Sequence, residues 1–461
     1  MPLLATALLC DEVLKKSNDD LEMAVNFLQL PVEDRFEDKR PSRLVWTIIF
    51  FSLAIGGIFV VLLLWPKSVP TSSWKFWITI TLFPLGVPTL IVLRILSDYE
   101  GRRESVELRN EAVHRYNESV FEVASRQFAL VCAPFRVSAD RAENTVEAIR
   151  VGAVRLTTQD PIVHDGEPVK ARWLVVPAVQ LTSGRKEDDR RRHIQVVKWL
   201  FDEMLAEMAE KINALPARLG LSVHLFTSTV LASSECEAIW KRCCHAHLSR
   251  DARVAKITES SADLGTLDCW LDQATIGECA EARLIVSVQL HSLLSVTPNA
   301  GVTEAGVALL LLPDLLCREY AITRIADLHR PVCGTLHNSG ETLSNAIKWA
   351  RTTAAHIPYS WQTGLNAPQA GKVREAALRI GLLTDATDLD QTVGHAGVAA
   401  PWLTTACAAL SLADGATQQI VFVGQDDRMD CTVLKLAIPS TQPIDYHSNF
   451  SLNVDNSRVS L

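Results

Sequence analysis

The sequence predicts a mixed α/β domain carried on a transmembrane α-hairpin. Two features predict it. Near the start lie two long apolar runs, Leu44 to Trp65 and Phe76 to Leu93, neither holding a charged residue. Over most of the remainder, short β-branched apolar runs alternate with helical patterns, the signature of an α/β domain with buried sheets. An α-helix of about 20 apolar residues crosses the ~30 Å hydrocarbon core of a bilayer. The hairpin therefore occupies 44–96, with spans at about 44–65 and 76–96.

The flanks give its orientation. Lys39, Arg40 and Arg43 precede the first span, and Arg94, Arg102, Arg103 and Arg109 end or follow the second. The short loop between holds Lys67 and Lys75. The larger basic excess marks the outer flanks, and with them both termini, as cytoplasmic. The apolar runs contain no Asp, Glu, Lys, Arg or His, which leaves transport or proton relay without residues. The hairpin starts too late for an ordinary signal peptide, and no small-residue cleavage site follows its first half. An anchor in the plasma membrane is the expectation.

Before the hairpin, residues 1–43 form a cytoplasmic segment. Val13, Leu14, Leu21, Ala24, Val25 and Leu28 give Asp11 to Leu30 the spacing of an amphipathic helix, and Glu33 to Arg40 reads as an exposed linker. Residues 97–130 are polar and rich in helix formers, a helical linker. Beyond it, strands are predicted at Phe128–Cys132, Trp173–Val179, Leu221–Phe226, Leu284–Leu290, Val307–Leu312, Ile322–Ala326 and Ile420–Val423. Helices are predicted at Ile194–Leu215, Ser234–His247, Leu264–Ile276, Glu341–Ala354, Gly371–Ile380 and Gly397–Leu412. Residues 183–193 read as a charged surface insertion, and 438–461 as a loose polar tail.

The 461 residues carry a net charge of −8 with both signs interspersed. No basic stripe points to nucleic acid. Eleven cysteines at irregular spacings fit reduced thiols rather than a disulfide framework.

Four segments, in order, resemble the thiolase/ketosynthase superfamily. Ser260-Ser-Ala-Asp-Leu-Gly-Thr-Leu-Asp-Cys-Trp-Leu-Asp-Gln-Ala-Thr-Ile-Gly277 and the run to Val288 resemble its nucleophile turn, buried helix, glycine turn and central strand. Thr303-Glu-Ala-Gly-Val-Ala-Leu-Leu310 is similar to its Glu-Gly-Ala-Ala strand. Trp361-Gln-Thr-Gly-Leu and the helix reaching Glu375 resemble its His-Gly-Thr-Gly-Thr loop. Val393-Gly-His-Ala-Gly-Val-Ala-Ala400 resembles the Gly-His motif that opens a core helix. The resemblance covers roughly 170–437. It implies a two-fold pseudo-repeat, with halves at 131–300 and 301–437, and the strand of Ser287 beside the strand around Phe422. It also implies a homodimer, or a heterodimer with a related subunit.

The family's chemistry uses a cysteine thiolate at a helix N-terminus and two histidines. Counting back from Gly277 places Ser260 at the cysteine position, and counting back from Gly371 places Gly364 at the first histidine. His395 alone matches. Cys269 falls two turns into the helix, as a buried thiol. Gly424-Gln-Asp-Asp-Arg-Met stands where ketosynthases carry a Gly-Phe-Gly-Gly-Thr-Asn acyl-binding loop. Ser260, Gly364 and His395 are thus degenerate positions, and no catalytic residue is expected.

Other clusters read as packing or surface. In Cys243-Cys244-His245-Ala246-His247 only Cys243 and His247 share a helix face, and Cys236, Ile239, Trp240 and Cys243 form its apolar stripe. No metal and no cofactor is expected. His329, His337, Asp385, Asp388 and Asp390 read as solvated loop residues.

The expected function is that of a membrane-anchored, catalytically inactive ketosynthase-like adaptor with a protein partner at the membrane. Degenerate proteins of this kind resemble reading frames found beside toxin and spike genes of bacterial type VI secretion systems, which implies an inner-membrane setting. The alternatives are an acyl-transfer or thioesterase-like enzyme using Ser260 and His395, and a sensor that binds acyl chains without turnover.

Overall fold

The computed structural model describes residues 30–35, 42–67, 70–164, 166–177, 179–258, 263–275, 281–412 and 415–437. Ser260, the Gly277 turn, the amphipathic stretch before Leu30 and the tail after 437 lie outside the described residues. The chain divides into two compact units, one around residues 26–122 and one from Val123 onward.

In the smaller unit, helix α1 (Arg43–Leu64) and helix α2 (Trp74–Ala124) are both long and apolar enough to cross a membrane, by length and composition. Their apolar side chains point outward along both helices, from Leu44 through Leu64 and from Trp74 through Leu96. The helices approach closely where Gly57 meets Pro84; a Cβ on Gly57 would lie 3.0 Å from the Pro84 Cα. The rings of Trp65 and Phe76 meet edge-on at 5.0 Å. Helix α2 is 51 residues long, about 76 Å at 1.5 Å per residue. The second apolar run and most of the predicted polar linker are therefore one continuous helix.

The larger unit is built twice over. Its first half runs β1 (Phe128–Cys132), α3 (Lys186–Asn213), β2 (Gly220–Ser228), α4 (Ser233–His247), β3 (Arg253–Thr258), α5 (Gly265–Thr275), β4 (Glu281–Gln289) and β5 (Ala305–Pro313). The second runs β6 (Ala326–Leu328), α6 (Ser339–Trp349), β7 (Tyr359–Thr363), α7 (Ala367–Arg379), β8 (Asp385–Asp388), α8 (Ala400–Ser411), β9 (Gln418–Gln425) and β10 (Arg428–Leu436). The strand order is β3-β2-β4-β5-β1 in the first half and β8-β7-β9-β10-β6 in the second. In each, the first three strands of that order are parallel and the fourth runs against its neighbours. The halves join where β1 pairs antiparallel with β6, Phe128 to Leu328, Ala129 to Asp327 and Leu130 to Ala326. That register is symmetric about Ala129 and Asp327, which places a pseudo-dyad there.

Side-chain alternation makes the layers. On β5, Ala305, Val307, Leu309 and Leu311 enter one core while Ala308, Leu310 and Leu312 enter another. The first core also holds α5, α8 and strands of both halves. The second holds α3 and α4, which cover the opposite face of the first half.

Several expectations change. β5 closes the first half, so the halves part after Pro313 rather than near residue 300. The Ser287 and Phe422 strands occupy equivalent places but are separated by β5, β1, β6 and β10. Trp173–Val179 is not a strand: the Leu174 N–H is taken by the Glu304 side chain at 2.9 Å, and Pro177 supplies no donor. Ile322–Ala326 is a turn through Ala321, at φ 50°, that enters β6 only at Ala326. The charged segment 183–193 is no surface insertion, because α3 begins at Lys186 and buries Asp189, Arg192 and His193.

Candidate functional site

Two positions singled out in the sequence, Gly364 and His395, meet on one carboxylate. Gly364 follows β7, and His395 precedes α8. Between them in the chain, a one-turn helix (Leu389–Thr392) is capped by Asp388, whose side chain accepts from the N–H groups of Asp390 and Gln391 at 3.0 and 3.2 Å. The Gln362 amide donates to the other Asp388 oxygen at 2.8 Å. So fixed, Asp390 accepts from the Thr363 hydroxyl and the Gly364 N–H, each at 2.7 Å, and lies 3.3 Å from His395 Nδ1. Asp388 and Asp390 are thus not solvated loop residues; the hydrogen-bond network is their reason for being there.

Electrostatics follow from the geometry. The hydrogen bond and charge of Asp390 raise the His395 pKa against the opposing effect of burial. Burial alone would raise Asp390, but hydrogen bonds from His395, Thr363 and Gly364 hold it below the usual carboxylate range. The His395 side chain is 46% exposed, so the ring remains open to a ligand or to water.

Gly364 is a glycine for a geometric reason. Its φ is +72°, and an added Cβ would sit 2.1 Å from the Gly424 carbonyl oxygen. The two glycine backbones pack against each other, leaving no room for an imidazole. The β9–β10 ladder continues to the Gln425–Arg428 pair, so Asp426 and Asp427 form a tight hairpin turn.

The seat of His395 is tied to the first half. Its N–H donates to the Gly301 carbonyl at 2.8 Å, and its carbonyl accepts from Thr303 N–H at 3.0 Å. The next residue, Glu304, is fully buried with Arg192. Its two oxygens accept from Arg192 Nη1 and Nη2 at 2.8 and 2.5 Å, from His291 N–H at 2.9 Å and from Leu174 N–H at 2.9 Å. His193 bonds the His291 carbonyl at 3.0 Å and accepts from Val230 N–H at 3.1 Å. Asp189 accepts from Leu294 and Ser295. Burial lowers the His291 pKa; Arg192 and His395 add to that, and Glu304 opposes it. The missed signal was the spacing of Asp189, Arg192 and His193 across one turn of α3, in a run that reads as wholly charged.

The nucleophile side offers less. Ser260 lies outside the described residues. Leu264 N–H donates to Asp430 at 3.0 Å, fixing the chain just before α5. Cys269 is exposed rather than buried. Partial burial, then Asp268 and Asp272, raise its pKa, which disfavours the thiolate. The apolar stripe of α4 is buried as read, and its Cys243 thiol is pushed up to about 12 by burial and Asp202. His247 sits 3.3 Å from that same Asp202.

No protein-family model matches the sequence, and no curated protein matches it. Solved structures do match the fold. A ketosynthase from module 6 of the bacillaene synthase of Bacillus subtilis 168 superposes with a TM-score of 0.50 at 11% identity, covering 68% of this chain and 71% of that one. The ishigamide ketosynthase/chain length factor matches with a TM-score of 0.50 at 11% identity, covering 68% of this chain and 100% of that one. At such identity the likeness is one of fold. The larger unit has the thiolase-like α/β fold of the ketosynthases.

Proposed function

We propose that this chain is a membrane-anchored, ketosynthase-like protein that works by binding a protein partner rather than by acyl-thioester chemistry. The observation that carries the reading is Gly364. At the place of the family's first histidine, the backbone is closed against Gly424, and the N–H that remains is spent on Asp390. Ser260 at the cysteine position supports the same reading, since a serine without an adjacent base is a weak nucleophile.

α1 and α2 serve as a two-span anchor with both outer flanks cytoplasmic, and the exposed apolar side chains along them suit lipid. Anchoring concentrates the domain against membrane-associated partners. Components of a bacterial type VI secretion system are the first candidates, and the domain pairs with a second copy or a related subunit. β3 suits such pairing, because its outer edge is open and its residues are half-exposed or exposed.

A second reading is favoured by one feature. The Asp390–His395 pair has the form of an oriented general base, which an acyl-transfer or thioesterase-like enzyme with Ser260 as nucleophile would use. One comparison tests both readings. The full chain in detergent is assayed for acyl-CoA hydrolysis beside Ser260→Ala, and membranes are probed by pull-down. Absent hydrolysis with a specific membrane partner supports the adaptor. Hydrolysis abolished by Ser260→Ala replaces it with the enzyme.

A further inference from the structure

The segment entering the hairpin lies along the helix leaving it. Pro31 to Arg35 has no regular secondary structure and runs antiparallel to α2, Asp34 meeting Asn110 and Pro31 meeting Asn117. Asp34 N–H donates to Asn110 Oδ1 at 2.8 Å, and Asn110 Nδ2 donates back to the Asp34 carbonyl at 2.9 Å. Asn117 Nδ2 donates to the Pro31 carbonyl at 3.1 Å. Arg109 pairs with the Asp34 carboxylate at 2.9 Å.

The two asparagines are seven residues apart on α2, two turns, about 10.5 Å. Pro31 and Asp34 are three residues apart, and three residues of chain can reach about 10 Å. The two repeats coincide, so each asparagine meets a backbone group in register. The reciprocal Asn110–Asp34 pair uses one side-chain amide as a strand would use a neighbour's peptide, satisfying donor and acceptor together. The Arg109–Asp34 pair is solvent-exposed and adds little.

We propose that Pro31–Asp34 is a clasp: a strap bound in register to the Asn110/Asn117 face of α2, fixing the chain before the hairpin to the chain after it. The clasp places both outer flanks of the hairpin on one side of the bilayer and stiffens the polar part of α2. It goes beyond the adaptor reading and holds whether or not the domain binds a partner.

The test is hydrogen exchange on the full chain in detergent micelles, comparing the native protein with Asn110→Ala/Asn117→Ala. Alanine has the higher helix propensity at these half-buried positions, so α2 stays folded, and circular dichroism checks this. The Asp34 amide should exchange at least tenfold faster in the variant, and tryptic cleavage after Arg35 should accelerate similarly. Equal exchange and equal cleavage in the two proteins would overturn the clasp.

Discussion

The two halves of the domain place equivalent helices in unlike surroundings. α8 in the second half is buried along its length apart from Leu410, which is partly covered. Its Thr404 and Thr405 hydroxyls turn back to the carbonyls of Ala400 and Pro401. α5 in the first half is amphipathic. Leu267, Trp270 and Leu271 enter the shared core, while Asp268 and Asp272 are held from outside by the buried Arg330 at 2.9 and 2.6 Å. A helix sealed on all sides gives the residue before it a fixed seat, which is where His395 stands. At the start of α5 only Leu264 is buried, its N–H held by Asp430. The repeat therefore preserves the frame in both halves, and among the described residues the defined polar site lies before α8.

Three measurements would sharpen or break this contrast. The largest effect is expected at the buried pair that underlies the His395 seat. Glu304→Ala leaves Arg192 buried without its partner and orphans the His291 and Leu174 N–H groups. Removing one member of a buried pair costs about 3–5 kcal/mol, readable by denaturant unfolding. A change below 1 kcal/mol would mean that the pair does not hold the His395 seat.

Next comes the closed position. Gly364→His must place a side chain at φ +72° against the Gly424 carbonyl. Backbone strain and overpacking together cost about 2–4 kcal/mol. A variant as stable as the native protein would show that this position can hold the family's histidine after all.

The third effect is a slope in pH, small at any one pH near neutrality. Read as a surface residue, His329 is in fact buried at the end of β6, and neither ring nitrogen has a partner among the described residues. Burial, then the charges of Lys435 and Arg351, push its pKa down to about 3. The unfolded chain takes up this proton near pH 6.5. Stability is therefore full above that pH and falls as pH drops toward 3, by about 1.4 kcal/mol per unit from this group. His329→Asn should flatten the slope by one proton between pH 6 and 4; an unchanged slope would exclude the assignment.

Much of the frame was legible because it is apolar and periodic. β1, β2, β4, β5 and β9 are rich in β-branched residues or leucine, and each was placed within a few residues. β7 (Tyr-Ser-Trp-Gln-Thr) and β8 (Asp-Ala-Thr-Asp) were illegible, because their ladders are supplied by neighbours rather than by their own side chains. β10 was hidden by Arg428 and Asp430, two polar residues that bind across to α5 and its start. The positions of Gly364 and His395 could be counted from motifs. Asp390, which joins them, could not, because a carboxylate in a loop has no spacing rule and only the fold supplies its three donors.

The seam at the pseudo-dyad has a mechanical consequence. α2 ends at Ala124 and β1 begins at Phe128, so three residues connect the long helix to the central strand. β1 is bonded along both edges, to β5 and to β6. Tension arriving through the helix must load two ladders at once and is shared by both halves of the domain. Had the tether entered through β3 or β8, each bonded on one side only, the same force would have peeled a single edge strand away. A domain built this way resists tension best along the strand through which the helix enters it.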